Sequence, residues 1–255
     1  MIVCVDLGNT VTAIGVLDGT EVRAFWQIAT RERTGDEYGR VMASLLARDR
    51  IDVERVTHGA VCSVVPSETR EMLAAISAEL GVQAVLVDGL NDCGIRVVTD
   101  DPEEVGGDRI ANAIGAFHAY GGPAIVVDMG TATTYDYVSD DGEYRGGVIA
   151  PGMNAGAGDL WKRARKLPAV EIMRPPKLIG TSTVACMQSG IYFGAVGQVE
   201  GIVRRMWSEI GAECRVIVTG GRAGLIRDDL GFEVTYDLHL TLKGLAYAVD
   251  PALRR

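Results

Sequence analysis

A chain of 255 residues, 47% of them hydrophobic and 23% charged, has apolar side chains enough for a substantial core and a length that suits one large domain or two compact ones. Its formal net charge of −9 disfavours nucleic-acid binding, which needs a basic surface, and no run of Lys and Arg marks a membrane-surface patch. The odd set of five cysteines (4, 62, 93, 186, 214) contains no Cys-x-x-Cys pair, and the three histidines lack metal-ligand spacing; this reads as reduced thiols in a cytoplasmic protein. Met1 runs directly into an apolar segment with no basic leader, so neither a signal peptide nor a spanning helix is expected.

In chain order, Ile2–Asp6 is a β-branched apolar run that predicts a buried strand, followed by a turn at Leu7-Gly8-Asn9-Thr10. Strands over 11–17 and 21–28 are expected on either side of the Asp18-Gly19 hairpin signal. A helix over 35–48 places Tyr38, Val41, Met42 and Leu45 on one face. Strand 56–61, a turn at Ser63–Pro66, helix 67–80 and strand 82–87 follow. Gly106-Gly107-Asp108-Arg109 opens a helix with Ile110, Ile114 and Phe117 on a common face.

From Ala124 the pattern restarts. Ala124–Asp128 reads as a strand, Met129-Gly130-Thr131 as a turn, Thr134–Val138 as a second strand, Asp141-Gly142 as a hairpin and 143–149 as a third strand. Val3-Cys-Val-Asp6-Leu-Gly8 corresponds to Ile125-Val-Val-Asp128-Met-Gly130, an offset of 128 − 6 = 122 residues. One Asp-x-Gly turn says little, because Asp and Gly are ordinary turn residues. Repetition of the whole strand–turn–strand unit implies a duplicated domain: an α/β protein of two similar halves, 1–120 and 121–255, each a mixed sheet flanked by helices.

Two facing Asp-x-Gly hairpins have a definite chemistry. Glycine lets the backbone approach a phosphate, turn N–H groups point at its oxygens, and the hydroxyls of Thr10 and Thr131 donate to the same oxygens. The carboxylates of Asp6 and Asp128 repel phosphate but hold the cations that neutralise it; hard oxygen ligands suit Mg²⁺ and alkali ions. Such a cleft fits a nucleoside triphosphate with its metal. Val216–Gly221, a strand ending in Gly220-Gly221, either leaves room for a base or ribose or is simply a tight turn. P-loop, dinucleotide-fingerprint and esterase-elbow motifs are missing from the sequence. Asp108 reads either as a helix N-cap or as the acceptor of a proton from an attacking hydroxyl; Arg109 reads either as a surface side chain or, with the helix N-terminus, as an anion holder.

Together, Asp6-Leu-Gly-Asn-Thr10, Gly106-Gly-Asp-Arg109, Asp128-Met-Gly-Thr131 and Gly220-Gly221 resemble type III pantothenate kinases. The resemblance extends to Ser63-Val-Val-Pro66, Gly146–Gly152, Lys166-Leu-Pro168, Gly180–Gly190 and Leu240–Leu245, in order along nearly the whole chain. It implies the actin-like, sugar-kinase-like fold of two ribonuclease-H-like halves with the nucleotide cleft between them. It implies a reaction in which ATP phosphorylates pantothenate to 4′-phosphopantothenate, the first step toward coenzyme A.

For the residues, the resemblance implies an ATP loop of Asp6, Leu7, Gly8, Asn9, Thr10, Val11, Thr12 and Ala13, with Thr131 contacting the nucleotide and Gly220 and Gly221 beside it. Asp108 would be the proton acceptor. Asp6 would meet Mg²⁺ through water, and Asp128 a monovalent cation, potassium or ammonium. Gly106, Gly107, Asp108, Arg109 and Thr183 would bind pantothenate. Thr99 stands where family members usually carry a Tyr, three residues before Pro102, and Asn154–Gly158 is unusually rich in glycine. The resemblance also implies a homodimer, which the small-residue spacing Gly190, Gly194, Gly197, Gly201 fits, as would packing inside one chain. Two other readings remain at this point: a nucleotide-binding regulatory relative without catalysis, and a kinase of the same superfamily for another small alcohol or acid. An actin-like filament former is disfavoured by the short chain.

Overall fold

The structure, a computed structural model, describes residues 1–90, 93–163 and 168–254. The Lys166-Leu167 part of one motif lies outside the described residues. The chain divides into two compact units: Met1–Gly121 with Gly142–Arg145 and His239–Arg255, and Gly122–Asp141 with Gly146–Leu238.

In the first unit, β1 (Ile2–Leu7), β2 (Val11–Asp18) and β3 (Glu21–Ala29) form an antiparallel meander. Strands β4 (His58–Ser63) and β5 (Ala84–Leu86) add in parallel on the other side, giving the order β3-β2-β1-β4-β5. The strand read at 56–61 is displaced two residues by its register with β1, which pairs Ile2 with His58 and Leu7 with Ser63. Helix α1 (Gly35–Arg48) has the expected bounds, because Thr34 and Glu37 cap each other's backbone N–H in a reciprocal box. It and α2 (Pro66–Leu80) cover one face of the sheet, burying Tyr38, Met42, Met72 and Ile76 against Val3, Val5 and Leu7.

Helix α3 (Gly107–Tyr120) belongs to the same unit and packs on α7 (Leu240–Val249), the last α-helix of the chain. Glycines permit the close crossing. A Cβ on Gly115 would meet Leu240 O at 2.6 Å, and one on Gly244 would meet Ala111 C at 2.6 Å. The C-terminal segment from His239 therefore packs with the N-terminal unit, a departure from the chain-order halves 1–120 and 121–255 that no local pattern announces. A short strand, β6 (Arg96–Val97), pairs with Glu143–Tyr144 within this unit.

In the second unit, β7 (Ala124–Met129) pairs antiparallel with β8 (Ala132–Val138) and parallel with β10 (Arg215–Thr219). Strand β9 (Glu143–Pro151), whose first residues count with the first unit, lies beside β8, and β11 (Thr235–Tyr236) beside β10. Helix α4 (Met153–Arg163) forms despite its glycines. Helix α5 (Thr183–Ile210) buries Tyr192, Val196, Val199 and Val203 against Ile125, Val127, Val216 and Val218, and a short α6 (Ala223–Ile226) follows β10.

The duplication is exact in register. Adding 122 to the ends of β1 gives 124 and 129, the ends of β7, and the two strands share one burial sequence, with only the Asp position partly exposed. In each unit this strand lies between an antiparallel neighbour that follows it and a parallel one reached through helices.

Candidate active site

Asp6 sits near the end of β1, paired in register with Cys62 of β4, whose thiol donates to Asp6 Oδ1 at 3.5 Å. The turn after it closes with Gly8 N–H donating to Val11 O at 3.2 Å. Gly8 is needed, since a Cβ would lie 2.9 Å from that same carbonyl. Asn9, Thr10 and Val11 are exposed, whereas Leu7 and Thr12 are fully buried.

The start of α3 abuts the same place. A Cβ on Gly107 would strike Val87 O at 2.6 Å and Cys62 Cβ at 3.2 Å, and one on Gly106 would lie 2.6 Å from Asp108 Oδ1. The two glycines thus let the helix seat beside β4 and leave room for the Asp108 carboxylate. Gly106 is the N-cap, which corrects the alternative reading of Asp108 as the cap. Asp108 lies in the first turn and accepts the Arg109 N–H at 2.8 Å.

Burial raises the Asp108 carboxyl above its ordinary range, opposed by the Arg109 N–H and charge. Burial, then the charges of Asp6 and Asp108, push the Cys62 thiol well up. The two carboxylates, about a hundred residues apart in sequence, therefore act on one buried thiol; 108 − 6 = 102 is their separation. The Arg109 guanidinium lies over the ring of buried Tyr144, 5.8 Å from its centroid. Cys62 and Tyr144 carried no motif signal, because their roles arise only where β4 and Gly142–Arg145 meet α3. Thr99 lies after β6, with its Oγ1 buried and without a hydrogen-bond partner.

In the second unit Asp128 occupies the place equivalent to Asp6, on β7 opposite Thr219. Gly220, at φ +90°, passes over it so closely that a Cβ would lie 2.6 Å from Met129 N; beside Gly221 there is open space. The Thr131 turn packs under Gly152, where a Cβ would meet Gly130 O at 2.8 Å. Thr183 opens α5 behind its N-cap Ser182, and with Gly152, Met153 and Met187 it lines a cavity of about 910 Å³. Along α5, nothing lies within 4 Å of a Cβ built on Gly190, Gly194 or Gly197, so packing inside the described chain does not explain those three, whereas one on Gly201 would meet Arg205 Nη1 at 3.2 Å. Among the described residues no helix is long and apolar enough to cross a membrane, and no three His, Cys, Asp or Glu groups gather as a metal cluster.

The sequence profile of a family described as type III pantothenate kinase matches residues 2–205. A type III pantothenate kinase of Moorella thermoacetica is 44% identical over 246 residues, covering 96% of this chain and 97% of that protein. The one from Roseiflexus castenholzii is 43% identical, covering 96% of each. Among solved structures, the activator of the 2-hydroxyisocaproyl-CoA dehydratase from Clostridium difficile, with bound ADPNP, has a TM-score of 0.57 at 14% identity over 99% of this chain and 94% of that one. A ROK family glucokinase from Streptomyces griseus, in complex with glucose and AMPPNP, has a TM-score of 0.53 at 14% identity over 98% of each chain. These two speak for the fold alone, the α/β arrangement of two mixed sheets flanked by helices. On the profile and the near-full-length relatives, this chain belongs to the type III pantothenate kinase family.

Proposed function

We propose that this chain transfers the terminal phosphoryl group of ATP to the primary alcohol of pantothenate, giving 4′-phosphopantothenate and ADP, with Asp108 as proton acceptor. The observation that carries the mechanism is the half-buried Asp108 carboxylate, held by the Arg109 N–H at 2.8 Å at the start of α3, whose charge acts with that of Asp6 on the buried Cys62 thiol. One carboxylate oxygen is committed to that N–H; the other accepts the hydroxyl proton. The alcohol's pKa is far above 7, so the proton moves as the new O–P bond forms and the bond to ADP breaks. Burial makes Asp108 a better proton acceptor than an exposed carboxylate.

The segment Asp6–Ala13 is assigned to ATP, through its exposed turn and backbone, together with Thr131, Gly220 and Gly221. Gly106, Gly107, Arg109, Thr183 and Thr99 are assigned to pantothenate; Arg109, braced on Tyr144, offsets anionic charge. Asp6 and Asp128 are single carboxylates at turns, a donor set that fits Mg²⁺ held partly by water and phosphate, and a monovalent cation, respectively. Such cations supply charge neutralisation to the phosphates. The open glycine face of α5 supports a homodimer packed along it.

The test supplies purified protein with Mg-ATP, potassium and pantothenate and looks for 4′-phosphopantothenate by mass spectrometry. Product that depends on all three is expected. ATP binding without product would favour the regulatory reading, and product only from another alcohol would favour a different acceptor. Light scattering at the mass of two chains is the expected result for the dimer.

A further inference from the structure

Thr30 lies just past the end of β3, outside every motif, yet it touches the Asp6–Thr10 turn at two points. Its hydroxyl donates to Gly8 O at 2.7 Å, and its backbone N–H donates to Thr10 O at 3.0 Å. A hydroxyl has one proton, and Thr30 has committed its own to Gly8. The 2.8 Å contact between the Thr12 and Thr30 hydroxyls therefore runs from Thr12 to Thr30. The result is a relay from buried Thr12 through Thr30 to the Gly8 carbonyl, in which each bond polarises the next.

The relay has a directional consequence. In a planar trans peptide the C=O of one residue and the N–H of the next point in opposite directions. Holding Gly8 C=O on Thr30 therefore aims the Asn9 N–H away from β3, on the exposed side of the turn. The strand from which Thr30 projects is itself anchored beyond it. Arg33 N–H donates to Glu68 of α2 at 2.9 Å, Gly35 N–H donates to Glu71 at 2.7 Å, and the buried Tyr38 hydroxyl donates to Glu68 at 3.0 Å. Thr30 thus connects the exposed turn to a segment held on α1 and α2.

We infer that Thr30 is a positioning residue for the nucleotide: it does not touch ATP, but it sets the direction of the Asp6–Thr10 backbone that does. The inference rests on the assignment of that turn to ATP. Thr30→Val keeps the shape and removes the donor; Thr30→Ser restores it. Steady-state kinetics with each substrate varied is the readout, alongside melting temperatures and Asp6→Asn as a direct lesion of the turn. The expected pattern is a KM for ATP raised on the order of tenfold in Thr30→Val, a KM for pantothenate within about twofold of wild type, and recovery in Thr30→Ser. A Thr30→Ser as impaired as Thr30→Val, or equal rises in both KM values with a lowered melting temperature, overturns the positioning role. An effect of Asp6→Asn on ATP without any effect of Thr30→Val overturns it while leaving the turn assigned. No effect of either variant on ATP overturns the turn assignment, and the inference with it.

Discussion

The two Asp-x-Gly turns look alike in sequence and end strands with the same burial, but each is shaped by different neighbours. In the first, the turn glycine itself is the tight one: Gly8 lies where a Cβ would be 2.9 Å from Val11 O. The turn is tied to Thr30, and the charge of a second carboxylate, Asp108, acts on the same thiol as that of Asp6. In the second, Gly130 has room, with its nearest would-be contacts at 3.6 and 3.7 Å, and the close packing comes from elsewhere in the chain, at Gly220 and Gly152. Duplication supplied a scaffold twice. In the first unit the Asp108 carboxylate lies near the repeated turn; in the second, backbone is laid over the Asp128 carboxylate.

The largest expected effect breaks the chemical side of that contrast. Asp108→Asn loses ~10²–10⁴-fold in turnover while keeping ATP binding, measured by kcat and by titration calorimetry. Because burial raises its carboxyl, activity should rise with pH through that raised value, and the acid limb should vanish in the variant. The stability sign is opposite. A raised carboxyl contributes stability while protonated, and that contribution is lost as pH climbs through the folded-state value. Asp108→Asn should therefore melt higher than wild type at neutral pH, with the gap closing in acid. Full turnover in the variant would remove Asp108 as the base.

Gly220→Ala comes next. It puts a Cβ on Met129 N at a φ of +90°, for an expected cost of about 1–3 kcal/mol in urea unfolding. Gly221→Ala, with open space around it, should unfold like wild type. Asp128→Asn should reduce potassium activation and ATP use together, on the order of tenfold. Equal rates with and without potassium in the wild type would instead sink the cation assignment. The smallest effect sharpens the comparison most directly. Gly130→Ala should change stability by less than about 0.5 kcal/mol, whereas Gly8→Ala, against the Val11 carbonyl, should cost measurably more; equal costs would mean the two turns are built alike after all.

Much of this was legible from local pattern. The β-branched runs at Ile2 and Ala124 gave the central strands because a strand buried on both faces must be apolar throughout, and the 122-residue offset survived because strand and turn are local structures. Helix α1 was readable from its apolar face, Tyr38, Val41, Met42 and Leu45, and the structure adds the Thr34–Glu37 box that fixes its start. The Gly106–Arg109 motif marked the start of α3, but the reason for its two glycines did not show, since what they avoid is Val87, Cys62 and the Asp108 carboxylate itself.

What the sequence alone determined were those elements whose hydrogen bonds and apolar periodicity close within a few residues, together with the ordered motifs that place the chain in its family. Only the tertiary structure decided the rest. It carried the last helix back to α3, brought the charges of Asp6 and Asp108 to bear on one thiol, laid Gly220 over Asp128 and joined Thr30 to Gly8. Each of these depends on strand register or helix crossing between segments far apart in the chain. Burial and close packing are properties of the folded neighbourhood, and no window of sequence contains them.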